Sequence, residues 1–248
     1  MGKIRLFLAL LSVVLLTACS TTNTLQGSLP GAGELYAKGV SAYNKRLYTE
    51  GEEYLRKVLE NYPLSPYAIE AQLKLADLYF IQERYEEAQS YYTTFYTFHP
   101  SHPSAPYALF QKGMCHLREV ETIDRDQTPT RKALFAFQDL ITYYPDSIYA
   151  EKSRTLISFL KERLAENEFY VGMFYYRKGD YKGALMRFKK ILEDYPDTHV
   201  VEKTLYYVGE VYTHLEEEEL ARETFRTLID RFPESPYVSV AKNRLQSP

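Results

Sequence analysis

Stretches with apolar residues at near-helical spacing run out five times at an aromatic or histidine residue followed by proline: Tyr62-Pro63, His99-Pro100, Tyr144-Pro145, Tyr195-Pro196 and Phe232-Pro233. Proline lacks an N–H and clashes with the preceding turn, so each pair marks a helix end. Counted back from these prolines, side-chain size repeats. Twenty-four residues upstream of four of them stand Gly39, Ala76, Gly172 and Gly209, all small. Twelve upstream of all five stand Gly51, Ala88, Ala133, Ala184 and Ala221, and eight upstream stand the large residues Leu55, Tyr92, Phe137, Phe188 and Phe225. Accidental prolines would not keep small and large residues in phase across five units. The pattern predicts helix pairs stacked into an array, where each unit buries its apolar face only against its neighbours. The product is a curved binding surface rather than a catalytic cleft.

The units resemble tetratricopeptide repeats, whose positions 8 and 20 are small and position 24 large. The fit is best over residues 168–196, with Gly172, Tyr175, the turn Gly179-Asp180-Tyr181, Ala184, Phe188, Ile191 and Pro196. The expected fold is all-α: a right-handed superhelical array of about five tetratricopeptide-like helix pairs, at residues 34–63, 67–100, 106–145, 148–196 and 200–233. Tyr237, Val240, Ala241 and Leu245 share one side of a segment at 236–246, which reads as a capping helix over the last stacking face. Ser65, Ser104, Ser147, Thr198 and Ser235 follow the prolines as candidate N-caps. The proline spacings of 37, 45, 51 and 37 residues are uneven. Gly113 takes the small position of the third unit only if residues are inserted at Glu119–Thr130, which reads as a charged loop. The fourth unit has its extra residues before Glu168, in a stretch from Ala150 to Arg177 without proline. That stretch reads as one long helix, with Leu156, Phe159, Leu160, Leu164 and Val171 on its apolar side.

The first residues have another character. Lys3 and Arg5 precede a nearly unbroken apolar run from Leu6 to Leu16, closed by Leu16-Thr17-Ala18-Cys19. This resembles a bacterial lipoprotein signal at residues 1–18, cleaved before a lipidated Cys19, and the run is too short to span a bilayer. Ser20 rather than Asp after the cysteine points to the outer membrane. Residues 19–33, small, polar and glycine-rich, read as a flexible tether. The formal net charge of −3 becomes more negative once Lys3 and Arg5 leave with the signal, so there is no basic excess for nucleic acid. With Cys19 lipidated, Cys115 has no partner for a disulfide and reads as a buried small residue. Tyrosine occurs 24 times and tryptophan never. Tyrosine suits both packed helix pairs and grooves for extended peptides, and for Tyr62 and Tyr67 the two roles stay open.

Several features together resemble the BamD (YfiO/ComL) family across essentially the whole mature chain. They are the signal, the five-unit plan, Asn61-Tyr-Pro-Leu-Ser-Pro-Tyr67, Asp124-Arg125-Asp126 before an Arg-x-Ala-x-x-x-Phe helix, and Leu160-Lys-Glu-Arg-Leu164 leading to Tyr175-Tyr176. The resemblance implies a non-catalytic lipoprotein of the outer-membrane β-barrel assembly machine. Such a protein is anchored in the outer membrane through Cys19 and faces the periplasm. Its implied partners are the periplasmic POTRA domains of the barrel protein BamA, other lipoproteins of the machine, and unfolded barrel precursors. Arg187, in Ala184-Leu-Met-Arg-Phe188, takes the position that pairs with an acidic POTRA residue. Tyr62 and Tyr67 are candidates for precursor binding in the first two units.

Two other classes compete. A periplasmic repeat adaptor organising peptidoglycan hydrolases or cell-division proteins would share the repeats, and only the insertions and the Asp124-Arg125-Asp126 segment separate the two. An enzyme has little residue support. The five histidines, His99, His102, His116, His199 and His214, show no metal spacing, no glycine-rich phosphate loop or nucleophile elbow is present, and Glu216–Glu219 reads as a solvated turn. No metal or cofactor is expected.

Overall fold

The computed structural model describes residues 30–246. The expected signal, the lipidated Cys19 and the tether up to residue 29 lie outside the described residues. Within them are eleven α-helices and no strand: α1 (Ala32–Asn44), α2 (Tyr48–Asn61), α3 (Pro66–Ile81), α4 (Tyr85–Phe98), α5 (Ala105–Arg118), α6 (Thr128–Tyr143), α7 (Ile148–Arg177), α8 (Tyr181–Asp194), α9 (Val200–His214), α10 (Glu218–Arg231) and α11 (Val238–Gln246). They pair in chain order, α1 with α2 through α9 with α10, and α11 closes the stack on α10. This is the helical repeat array that the size pattern predicts.

The residue before each proline ends its helix for a steric reason. Proline Cδ disfavours the α region for the preceding residue. Accordingly Tyr62, His99, Tyr144, Tyr195 and Phe232 share a non-helical cap conformation, with φ from −137° to −128° and ψ from 47° to 64°. Three of the expected caps form: the hydroxyls of Ser65, Ser147 and Ser235 accept from the N–H groups of Tyr67, Tyr149 and Tyr237 at 3.1–3.2 Å. Two do not. Ser104 precedes α5 but its side chain caps nothing, and its own N–H goes to His102 Nδ1 at 3.1 Å. Thr198 donates its hydroxyl back to the Tyr195 carbonyl, so α9 starts after His199. Inside units one, two, four and five the turn needs one residue at positive φ: Arg46, Glu83, Gly179 and Glu216.

Packing within each pair rests on the small–large contact. A Cβ added at Gly39, Gly113, Gly172 or Gly209 would come within 2.4–2.7 Å of Leu55, Phe137, Phe188 or Phe225 respectively. Those four partners, and Tyr92 opposite Ala76, are fully or almost fully buried. The cores continue across unit boundaries. One gathers Leu55, Val58, Leu75, Leu78, Tyr92 and Phe95, another Phe188, Ile191, Val201, Val211, Phe225 and Leu228. Smaller clusters around Leu109–Leu140 and Phe137–Leu160–Leu164 join them. A carboxylate ties the first two units together. Glu52 of α2 accepts from the Tyr79 hydroxyl at 2.9 Å, Arg56 Nε at 3.0 Å and Arg84 at 3.0 Å.

The two irregular units differ from expectation in detail. The long helix is α7, 30 residues, or about 45 Å at 1.5 Å per residue. Leu160 and Leu164 face its core, but Phe159 is half exposed because Leu160, a rotation of 100° along, takes the inward position. The inserted loop is shorter than residues 119–130, since Thr128, Pro129 and Thr130 form the first turn of α6. What remains is fastened down. Arg163 of α7 donates to the Glu121 carbonyl and Asn167 to the Ile123 carbonyl. The buried Gln127 amide donates to the carbonyls of Thr122 and Arg125, both at 3.0 Å, and accepts from Thr130. At the two ends, α1 begins at Ala32, so the last two residues assigned to the tether are helical, drawn in by the buried Leu35 whose N–H reaches the Gly31 carbonyl. In the capping segment, Tyr237 just before α11 and Ala241 and Leu245 within it pack as expected, while Val240 turns outward.

Two outcomes test this packing. Gly209→Ala gains helix propensity of about 1 kcal/mol, against overpacking of about 1–3 kcal/mol beside a ring that has no room. The net effect is a thermal midpoint lowered by a few degrees, and Phe225→Leu in the same chain should recover part of the loss in a calorimetric scan. Burial alone would raise the Glu52 carboxyl, but hydrogen bonds from Tyr79 and Arg56 and the charge of Arg84 outweigh it and hold the group below the usual carboxylate range. A carboxyl depressed in the folded state stabilises above its unfolded pKa, and that contribution is lost as pH falls through the folded value. Denaturant titrations of the wild type and Glu52→Gln should therefore differ at neutral pH and converge in acid.

Candidate functional site

Successive first helices touch one another, α1 with α3, α5 with α7 and α7 with α9. They form the inner wall of the curve. At its N-terminal end an open groove of about 590 Å³ is lined by Gly33, Tyr36, Val40, Asn44, Lys45 and Tyr67, among others. Tyr67 stands in the first turn of α3, 45% exposed, with its ring 5.7 Å from that of Tyr36. It leans over Gly33, where an added Cβ would lie 3.0 Å from the ring. Tyr62 goes elsewhere. Its ring packs on the first core and its hydroxyl donates to the Pro30 carbonyl at 3.0 Å. The structure therefore puts Tyr67 in the groove wall and Tyr62 at the junction behind it.

A buried polar network braces this wall. Asp77 of α3 accepts from the hydroxyls of Tyr92 at 2.8 Å and Tyr107 at 2.7 Å, and its other oxygen accepts from Lys74 at 3.0 Å. The Lys74 ammonium also sits 4.8 Å over the Tyr43 ring, a cation–π contact that ties α3 to α1. Burial first, and then the charge of Asp77, push the Tyr92 and Tyr107 phenols above their ordinary value, so both remain donors. Burial also raises Tyr36, with a further contribution from Glu70.

At the other end Arg187 lies on α8, one-third exposed. It donates to Glu168 Oε2 at 3.1 Å while Lys190 donates to Glu168 Oε1 at 2.6 Å. Glu168 is buried on α7, so one carboxylate answers two cations and the site keeps a surplus positive charge at the surface. Arg187 Nε is buried without a hydrogen-bond partner. A second buried carboxylate, Glu210 of α9, receives both Nε and an NH2 of Arg244 at 2.8 and 2.7 Å and so holds the capping helix. The two candidate regions, Tyr67 and Arg187, stand in different units and are not brought together.

Tyr36, Lys74 and Asp77 were not among the expected site residues, nor were Glu168 and Glu210 expected as buried acids. Ala76-Asp77 and Gly209-Glu210 carry a signal that could have found two of them: an acid directly after the small close-packing position must sit near the inter-helix surface. Cys115 is almost wholly buried and its thiol is pushed up to about 12 by burial, with the Glu119 charge adding to the shift. Its neighbour His116 is buried beside Glu119 at 3.4 Å, and burial lowers its pKa. Both behave as structural groups. Among the described residues no group of three or more His, Cys, Asp or Glu is arranged to hold a metal ion, and no helix is long and apolar enough to cross a membrane.

Comparison with known proteins places the chain. The sequence profile of the family described as "YfiO: Outer membrane lipoprotein" matches residues 31–224. The outer membrane protein assembly factor BamD of Neisseria gonorrhoeae is 30% identical over 241 residues, covering 91% of this chain and 90% of its own length. BamD of Rickettsia prowazekii is 26% identical over 238 residues, covering 96% of this chain and 95% of its own. Among solved structures, the TPR2AB domain of yeast Sti1 superposes with a TM-score of 0.47 at 16% identity, over 87% of this chain and 83% of that one. On the profile match and the near end-to-end similarity to curated relatives, this chain belongs to the YfiO family of outer membrane lipoproteins, the family of the BamD assembly factors.

Proposed function

We propose that the chain is a non-catalytic subunit of the machinery that assembles β-barrel proteins in the outer membrane, held there by lipid on Cys19 and facing the periplasm. Its C-terminal units bind a BamA-like barrel protein through an acidic group of a POTRA domain. The first two units receive unfolded barrel precursors. The observation that carries this reading is the surplus cation at Glu168. A carboxylate shared by Arg187 and Lys190 leaves one positive charge unanswered. An incoming carboxylate would answer it, and charge-assisted pairing with a guanidinium favours such a partner.

The N-terminal groove supports the second half of the reading. An extended strand could lay alternate aromatic side chains against Tyr36 and Tyr67, with its backbone groups met by Ser41, Asn44 and Lys45. Binding and presentation need no reacting group. The relatives named as assembly factors favour the same role over the alternative of a cell-wall adaptor.

Arg187→Ala is the cleaner test of the interface, because Lys190 still neutralises Glu168 and the fold survives. Its co-purification with the barrel protein from detergent-solubilised membranes should fall several-fold, and undiminished recovery would remove Arg187 from the interface. Depletion of the chain should lower the amount of heat-modifiable, folded barrel proteins in the outer membrane. Unchanged barrel levels in a viable depletion strain would refute the assignment.

A further inference from the structure

Every first helix of the array starts, and every second helix ends, at a junction between units. The junctions therefore form one edge of the array, and the turns inside the units form the opposite edge. The second and third junctions touch, where the Tyr144 hydroxyl donates to the Pro100 carbonyl at 2.8 Å. The described chain also enters at this edge, since Pro30 lies against Tyr62.

The four most exposed large apolar side chains among the described residues are Leu64 at 98%, Phe98 at 73%, Ile148 at 70% and Tyr143 at 65%. All four lie at the first three junctions. The fourth and fifth junctions have no exposed large apolar side chain and are flanked instead by Asp194, Asp197, Arg231 and Glu234. This change coincides with α7. The fourth junction does not meet the start of that helix but its middle, where the His199 N–H donates to Glu162 and Tyr195 packs beside Leu160 and Leu164. From Ile148 to Glu162 the helix rises about 21 Å. Units four and five are thus set back from the edge defined by the first three junctions.

We propose that this edge, carrying Leu64, Phe98, Tyr143 and Ile148, lies on the phospholipid surface of the membrane that anchors the chain, with those four side chains in the interfacial layer. Units four and five then stand clear of the lipid. The inference rests on the anchoring through Cys19 proposed above. Ten residues lie between Cys19 and Pro30, eleven Cα–Cα steps that reach at most about 40 Å, so the anchor keeps the membrane within that distance of the edge where Pro30 meets Tyr62. The chemistry fits a bilayer interface entered by burial rather than by charge. Aromatic and aliphatic groups partition there, and the surrounding Glu70, Asp146, Glu151 and Arg154 make no basic cluster. The placement also leaves the inner wall and Arg187 open to the periplasmic side.

The test uses the full-length lipidated protein in vesicles of phosphatidylethanolamine and phosphatidylglycerol. Leu64→Cys, Phe98→Cys and Ile148→Cys are each labelled with an environment-sensitive fluorophore; Glu50→Cys and Glu86→Cys, at the opposite edge, are the controls. Cys115 is buried and does not compete for label. Labels at 64, 98 and 148 should shift to the blue and lose intensity to lipids carrying a nitroxide headgroup, equally in high salt, while those at 50 and 86 stay unaffected. A label at Tyr143→Cys should lose its blue shift when Leu64, Phe98 and Ile148 are changed to Asp, with circular dichroism unaltered. Labels at all positions equally exposed to water would overturn the proposal. So would shielding at the edge that arises only when the barrel protein is added, since a protein would then be its occupant. Mass analysis of the N-terminal fragment separates the two readings: without lipid on Cys19 both fail, whereas lipidated chain with labels in water removes the membrane edge alone.

Discussion

The contact on which the rest depends is the one between a missing side chain and a large one inside each helix pair. Where Gly39, Gly113, Gly172 and Gly209 leave room, Leu55, Phe137, Phe188 and Phe225 enter it, and the two helices approach as closely as backbone and ring allow. The second pair solves the problem differently. Ala76 replaces glycine, and Tyr92 fills the space while sending its hydroxyl to Asp77. Because every pair is closed by a small residue facing a large one, each presents a similar surface to the next. The stacking, the shared edge of junctions and the inner wall of first helices all follow from that repetition.

Apolar stacking alone would leave neighbouring elements free to slide. Buried or half-buried carboxylates remove this freedom at defined places: Glu52 between units one and two, Asp77 between two and three, Glu168 inside unit four, and Glu210 under the capping helix. Each accepts from at least two donors, and a buried acid left without them would be costly. The geometry needed to satisfy several donors at once selects one register. The same device holds Lys74 against Asp77 on α3 and keeps Arg187 presented at the other end.

The wedges were legible in the sequence because the small residue and its large partner stand sixteen residues apart in four of the five units, a local relation that repeats, and the insertion widens it to 24 in the third. The helix ends were legible too, since the pre-proline restriction acts on one residue. The polar ties were not: Glu52 to Arg84, Asp77 to Tyr107 and Glu210 to Arg244 join residues 30–34 positions apart in different units, and apolar phase says nothing about them. Nor could sequence separate Tyr62 from Tyr67. They flank one short junction, and only its non-helical cap at Tyr62 turns the first toward Pro30 while the second rises over Gly33. The inserted loop read as charged and solvated for a similar reason, since Arg163 and Asn167, which fasten it, lie more than forty residues on.

Helix α7 has one more consequence. In a stack of independent pairs, contacts reach only to the next unit, so ends can fray and interior units can open without their neighbours. Here a single helix supplies Leu160 and Leu164 to the core of unit three and Glu168 and Gly172 to unit four, and it also anchors the inserted loop. Neither unit can melt while the other keeps that helix intact. The middle of the array therefore unfolds as one cooperative block more than twice the size of a normal repeat, while the N-terminal pairs and the C-terminal pair can loosen on their own.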